Sequence, residues 1–247
     1  MPPLRSSRAL LRPHIVTDVA GGASGPHPAL PQRRREIAKV RVDLHIHSSA
    51  SFDCRIAPIN VARRCRQLGL SPVVLTDHDT IDGARSLADT GEPVVIGQEI
   101  LTTEGEMIGL FLKEVVAKRL LPEEAIASIK GQGGLVYLEH PYDTGRRNLR
   151  EETIERIGDQ IDIVEVFNGR SQPDLNRRAE ELRSTLGVPG GAGSDAHTLA
   201  EIGGVYVEME AFDGAQDFLQ KLRGGRIITR PNRWVMAAQR LLNGRRR

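Results

Sequence analysis

The 247 residues carry a net charge of +2, two cysteines and 39% hydrophobic residues, which suits one large α/β domain or two small ones and excludes a wholly disordered chain. The cysteines, Cys54 and Cys65, have neither metal-ligand nor redox spacing, so reduced thiols in a cytoplasmic protein are expected. No apolar run has the length of a bilayer span and no secretory leader is recognisable, so no membrane association is expected.

The small net charge conceals a strong asymmetry. Residues 1–39 carry +5 and residues 226–247 carry +7, which leaves −10 on the body between them. A net acidic body suits a site for divalent cations, although solvated acidic faces give the same balance. The first 38 residues are rich in Pro, Gly, Ser and Arg and lack periodicity, so they are expected to form a disordered basic arm. An arginine-rich, acid-poor start also fits an organelle transit peptide. Residues 39–230 are expected to form the folded domain, and residues 231–247 a basic helix and tail, the helix from Trp234 to Leu242.

From Val40 onward the chain reads as strand, loop and helix in repetition. Val40, Val42, Leu44 and Ile46 alternate with polar residues, the period of a half-buried strand. A helix is predicted from Asn60 to Leu68, with Pro58 before it and Gly69 behind it. Buried strands follow at Val73–Leu75 and Val94–Ile96, with a short helix over Ile81–Leu87 between them. Ile100 to Leu112 reads as two short strands about a turn at Glu104-Gly105. Then come a helix from Pro122 to Lys130, a strand at Leu135–Leu138, a helix at Glu151–Ile157 and a strand at Ile161–Phe167. Pro173–Leu186 is a helix closed by Gly187, and Val188–Gly193 a strand of small residues. A strand containing Val205 and Val207, a helix from Ala211 to Leu222 and a strand at Ile227-Ile228 complete the pattern. Such alternation predicts a mainly parallel α/β sheet, too irregular for an ideal eightfold barrel.

Chemistry concentrates at the predicted strand ends. His45 and His47 are two residues apart, so on a strand they face one side and present two imidazoles to one ion. Alone, such a pair is as well explained by two ordinary histidines. The same residue types return at Thr76-Asp77-His78-Asp79, Gly97-Gln98-Glu99, Glu139-His140-Pro141 and Gly193-Ser194-Asp195-Ala196-His197, and five of the seven histidines fall in these places.

With "DLHIHSSASFD", "LTDHDTIDG", "GQEI", "EHP", "EVFNGR" and "GSDAH" in this order, residues 40 to 230 resemble the PHP family, named for polymerase and histidinol phosphatase. The resemblance implies a distorted (β/α)7 barrel with a centre of two or three metal ions at the C-terminal rim of the strands. His45, His47 and Asp195 would hold a first ion, with Glu99 at its strand end bridging to a second. His140 would serve the second ion, its backbone held extended by Pro141. Relatives often add a histidine from the hairpin after the "GxEI" strand, and Glu106 stands there in this chain. Asp53, His78 and His197 would hold a third ion. Of Asp77 and Asp79, one is expected to orient the His78 ring and the other to cap the following helix.

Histidine and carboxylate ligands without thiolate suit Mn, Fe or Zn. Such ions would polarise a phosphoryl oxygen and activate water for direct attack on phosphorus, with His45, His47, Glu99, Asp195 and Arg170 as the catalytic set. Arg146, Arg147 and Arg170 lie just past strand ends and are candidate phosphate clamps, because a guanidinium matches two phosphate oxygens at once; surface salt bridges explain each of them nearly as well. The expected function is metal-dependent hydrolysis of phosphate esters, with a nucleotide or a short oligoribonucleotide end as substrate. A histidinol-phosphate or phosphotyrosine phosphatase is the alternative within that class. A nucleic-acid-binding or scaffold module with a decayed metal site is the alternative outside it, kept open by the basic ends.

Overall fold

A computed structural model describes residues 38–230; the expectations for residues 1–37 and 231–247 lie outside the described residues. In chain order the elements are β1 (Lys39–Val42), α1 (Pro58–Leu68), β2 (Val73–Leu75), α2 (Asp82–Ala88), β3 (Val94–Leu101), β4 (Glu106–Leu110), α3 (Pro122–Gly131), β5 (Leu135–Leu138), α4 (Glu151–Ile157), β6 (Ile163–Asn168), α5 (Pro173–Leu186), β7 (Gly190–Gly193), β8 (Val205–Glu210), α6 (Gly214–Leu222) and β9 (Arg226–Thr229). A single 3₁₀ turn, Gly158–Gln160, follows α4.

Six strands form one curled sheet in the order β2-β3-β4-β5-β6-β7. The sheet is mainly parallel, as expected, except that β4 runs antiparallel to both β3 and β5. A second, antiparallel sheet has the order β1-β8-β9. No helix among the described residues is long and apolar enough to cross a membrane.

Two strands depart from the sequence reading, and both departures shape the rim. The strand at Val94 does not stop at Ile96. β3 pairs in parallel with β2 over Val94–Ile96, then antiparallel with β4 over Gly97–Leu101. The change of partner occurs at Gly97, where a Cβ would stand 2.9 Å from the Leu75 carbonyl oxygen, so only glycine lets the backbone pass that close. Glu99 is therefore inside a strand and not at its end.

The strand at Val40 ends earlier than its alternation predicts. Asp43 interrupts it, because its carboxylate accepts hydrogen bonds from the Ser194 N–H (2.8 Å), the Ser194 hydroxyl (2.6 Å) and the Gly203 N–H (3.1 Å). Beyond it the backbone leaves β8 and lies beside β7: Leu44 N–H donates to Ala192, and His47 N–H to Ala196. On its other side, Thr76 N–H donates to the Ile46 carbonyl just past β2. Residues 44–47 thus form an irregular seventh stave that joins the two edges of the curled sheet, giving the distorted barrel.

Along each stave the inward residues change from apolar to acidic toward one end. Leu44, Ile108, Leu110, Leu135, Tyr137, Ile163 and Ala192 fill the interior. Continuing the same alternation places Glu99, Glu106, Glu139 and Glu165 on the inner face above them. The outward residues Val136, Leu138, Val164 and Val166 pack against Ile126 and Ile129 of α3, Ile154 and Ile157 of α4 and Ala179 of α5. α1 and α2 cover β2 through Val61, Ala62, Cys65, Ala84 and Leu87. Both cysteines are free, and burial pushes the Cys65 thiol up to about 12, which makes it packing material rather than a nucleophile.

Candidate metal centre

The acidic rim meets the histidines of the seventh stave. His45 Nε2 and His47 Nε2 stand 3.1 Å apart, and each is 3.2 Å from Glu99 Oε2. Asp195 Oδ1 lies 3.5 Å from His47 Nε2 and 3.8 Å from His45 Nε2, and it has no hydrogen-bond partner although it is buried. Ligand atoms held at about 2.1 Å from one ion at tetrahedral angles are separated by about 3.4 Å. The four atoms therefore fit a single cation, which would give the orphaned Asp195 oxygen a partner.

The outer nitrogens of both imidazoles are fixed. His45 Nδ1–H donates to Glu165 Oε1 at 3.2 Å, and the Tyr137 hydroxyl donates to the same oxygen at 3.1 Å. His47 Nδ1–H donates to the Ser51 hydroxyl, which in turn donates to Asp77 Oδ1 at 3.0 Å. With Nδ1 protonated, the lone pair of each ring is on Nε2, facing the other ligands. Glu165 Oε2 also accepts from the His140 N–H and the Asn168 amide, so one buried carboxylate positions two ligand-bearing segments.

The expected residues gather into four overlapping groups: His45, His47 and Asp195; His45, Glu99 and His140; His78, Glu99 and Glu106; and His47, Asp53, His78 and His197. His140 Nε2 approaches Glu99 Oε1 at 3.4 Å, on the opposite oxygen from the first pair, as a bridging carboxylate requires. Glu106 falls beside His78 Nδ1 (3.7 Å) and groups with it and Glu99 rather than with His140. His78 Nε2 points the other way, 3.4 Å from Asp53, whose Oδ2 is also 3.0 Å from His197 Nε2. A neutral imidazole has one lone pair, so His78 can serve only one of these two groups at a time.

Two candidate ligands sit on unusual backbone. His140 has φ of 27° and Asp195 has φ of 52°. The extended conformation expected before Pro141 is overridden, because the Glu165 carboxylate captures the His140 N–H at 2.9 Å and turns it inward. The roles foreseen for Asp77 and Asp79 are also different. Asp77 receives the Ser48 N–H and hydroxyl and the Ser51 hydroxyl, and so braces the loop after His47. Asp79 accepts the Leu101 N–H, and α2 starts after Ile81 with no side-chain cap. Neither carboxylate reaches the His78 ring by a hydrogen bond.

Electrostatics follow from this crowding. Burial opposes charge on His47, but the Asp195 and Glu99 carboxylates outweigh it and raise the imidazole to about 9. Burial and then the neighbouring Glu99 push Glu106 up to about 7. Burial and then Glu99 push Glu139 well up, and neither of its oxygens has a hydrogen-bond partner. Each of these shifts records negative charge packed closer than protons alone balance well, which is the donor chemistry of a cation site.

Of the candidate arginines, Arg146 reaches the centre, with Nη2 2.8 Å from Asp195 Oδ2. Arg170 Nη1 lies 2.8 Å from His197 Nδ1. Arg147 stays at the surface, 4.0 Å from Glu106. The sequence reading missed Glu165, Asn168 and Ser51. All three stand inside quoted motifs, "EVFNGR" and "DLHIHSSASFD", without a role assigned, and Glu165 is also an acid in the middle of the apolar run Ile163-Val164-Glu165-Val166-Phe167.

The family model described as PHP-associated matches residues 173–227. Uncharacterized protein MJ1587 of Methanocaldococcus jannaschii is 40% identical over 143 residues, which are 52% of this chain and 82% of that protein. A two-domain protein from Bacteroides vulgatus, described as containing a predicted PHP-like metal-dependent phosphoesterase, superposes with a TM-score of 0.63 at 18% identity over 80% of this chain and 69% of the other. A lesion-specific endonuclease of Pyrococcus furiosus superposes with a TM-score of 0.59 at 17% identity over 77% of this chain and 58% of the other.

Proposed function

This chain belongs to the PHP family, and from that premise we propose that it is a metal-dependent hydrolase of phosphate esters, acting on a nucleotide or a short oligonucleotide end, with residues 39–230 as its catalytic unit. The carrying observation is the convergence of His45 Nε2, His47 Nε2, Glu99 Oε2 and the unpartnered Asp195 Oδ1, with Nδ1 of both rings tied back by Glu165 and Ser51. His45, His47, Glu99 and Asp195 would hold one ion, Glu99 and His140 a second with Glu106 nearby, and Asp53, His78 and His197 a third. Bound Mn, Fe or Zn supplies Lewis acidity toward a phosphoryl oxygen and acidifies water.

The remaining work falls to the chain's own side chains. Glu165 keeps the Nδ1 proton of His45 in place, so that this ligand stays aimed without redistributing protons. Arg146 and Arg170 each already touch a member of the centre, Asp195 and His197, and a phosphate arriving at the rim would meet both guanidinium groups. Arg147 keeps only an accessory role at the surface. Among the described residues no serine or cysteine of the centre is activated as a nucleophile: Ser51 and Ser194 spend their hydroxyls on Asp77 and Asp43. That supports direct attack by water.

An inert, decayed site fits these observations poorly. Loss of function would relax the selection that keeps four carboxylates and five imidazoles in one acidic, strained cluster, and such clusters are costly without a cation. The likeness to a lesion-specific endonuclease supports a nucleic-acid fragment among the candidate esters. The test is phosphate release from a panel of phosphomonoesters and short oligoribonucleotides by chelator-stripped protein refilled with Mn²⁺. Turnover that depends on the added ion is expected. Release that is unaffected by stripping, or no release from any ester, would refute the reading.

A further inference from the structure

We propose that Phe52 is a stacking platform that selects phosphate esters whose leaving group carries a planar heterocycle, which makes a nucleotide the preferred substrate. This rests on the hydrolase reading and deepens it.

Phe52 is 77% exposed, the most exposed large apolar side chain among the described residues. A single exposed apolar residue is ordinary. This one is held in place from both sides. The Ser51 hydroxyl accepts the His78 N–H at 2.9 Å and meets His47 Nδ1, and Asp53 lies against His78 and His197. The backbone around Phe52 is therefore committed to the metal centre while its ring projects into solvent. The ring does not swing freely: its centroid is 5.0 Å from that of His78, with the planes 32° apart. One face leans on a candidate ligand and the rest is open at the mouth. Leu199, 43% exposed and two residues past His197, adds a second large exposed apolar side chain on a loop that carries a candidate ligand.

A phosphate at the centre would leave the organic part of the ester to exit across this mouth. An aromatic face there offers sequence-tolerant stacking to any base, because every base has a π-face. A small aliphatic ester has nothing to place on it. The arrangement predicts discrimination by the leaving group and not by the phosphate.

Adenosine 5′-monophosphate and ribose 5-phosphate share sugar and phosphate and differ only in the base. With the full-length, Mn²⁺-loaded protein, KM for the nucleotide is expected to be about tenfold lower than for the sugar phosphate, as one stacked base allows. In Phe52→Ala and in Phe52→Leu that ratio should fall toward one, and Phe52→Trp should preserve it. Leucine separates stacking from plain apolar contact. Adenosine without phosphate should inhibit the wild type competitively and the alanine variant far more weakly. A ratio unchanged in Phe52→Ala, with both esters hydrolysed, would overturn the stacking role and leave the hydrolase reading intact. Release of phosphate from neither ester would overturn the preference for a nucleotide, and the hydrolase reading falls with it only if the whole ester panel is inert.

Discussion

The inner and outer parts of the metal centre are built on different principles. His45, His47, Glu99, His140 and Asp195 are buried, and each is held by a second contact that does not involve another ligand or by backbone pairing with a neighbouring stave. Asp53, His78 and His197 come from three loops, are partly exposed, and hold chiefly one another. Where a site is braced by a sheet, its geometry precedes the ion. Where it is assembled from loops, the ion supplies much of the order. The inner positions are therefore expected to retain metal and the outer one to exchange it.

Breaking the inner part should have the largest effect. Glu99→Gln removes the carboxylate that faces two groups at once, and phosphate release is expected to fall about a thousandfold or more while the fold, followed by circular dichroism, is kept. Asp195→Asn is expected to behave alike. Near-normal turnover of Glu99→Gln at limiting metal would erase the distinction between inner and outer.

Glu165→Gln sharpens the comparison without touching a ligand atom. The His45 ring loses its anionic partner, and metal affinity should drop by about 10- to 100-fold, with turnover recovered by excess Mn²⁺. Gly193→Ala tests the same brace from the other side. An added Cβ there would stand 2.3 Å from the His45 Cβ, so the stave must shift, and the expected reading is loss of inner metal by elemental analysis.

Glu106 lies at the boundary between the two parts. Glu106→Ala is expected to cost about one ion per chain, and Glu106→His to restore it with preference moved from Mn²⁺ toward Zn²⁺. Equal metal content in all three proteins would make Glu106 a bystander. The smallest effects belong to the outer part. Asp53→Asn should lower affinity for the most exchangeable ion about tenfold, and added Mn²⁺ should compensate. Arg170→Lys should raise KM severalfold at most, since an ammonium keeps the charge but not the fork.

The inner part was largely legible in the sequence and its bracing was not. His45-x-His47 announces itself by spacing, and Glu99, His140 and Asp195 by the motifs "GQEI", "EHP" and "GSDAH" that resemble the PHP family. Glu165 was visible as an acid in a strand and inside "EVFNGR", but without a role, because its partner His45 is 120 residues away and no local pattern connects them. The Asp77 and Asp79 roles were misassigned for a related reason. Sequence proximity favours His78, whereas the fold turns Asp77 toward Ser48 and Ser51, 29 and 26 residues earlier. The full length of β3 was hidden because a glycine reads as a strand end, yet here it is the point where one strand exchanges neighbours.

The stave formed by residues 44–47 has a consequence for biosynthesis. It carries the first two ligands to leave the ribosome, but the partner that locks it, Ser194 on Asp43, lies 151 residues later. Until that segment emerges, His45 and His47 have no Asp195 beside them and no closed wall behind them. If these residues hold an ion, a nascent chain is expected to capture it only after translation has passed the Asp195 loop. Loading with an ion would then mark a chain in which residues 43–47 have met residues 192–196.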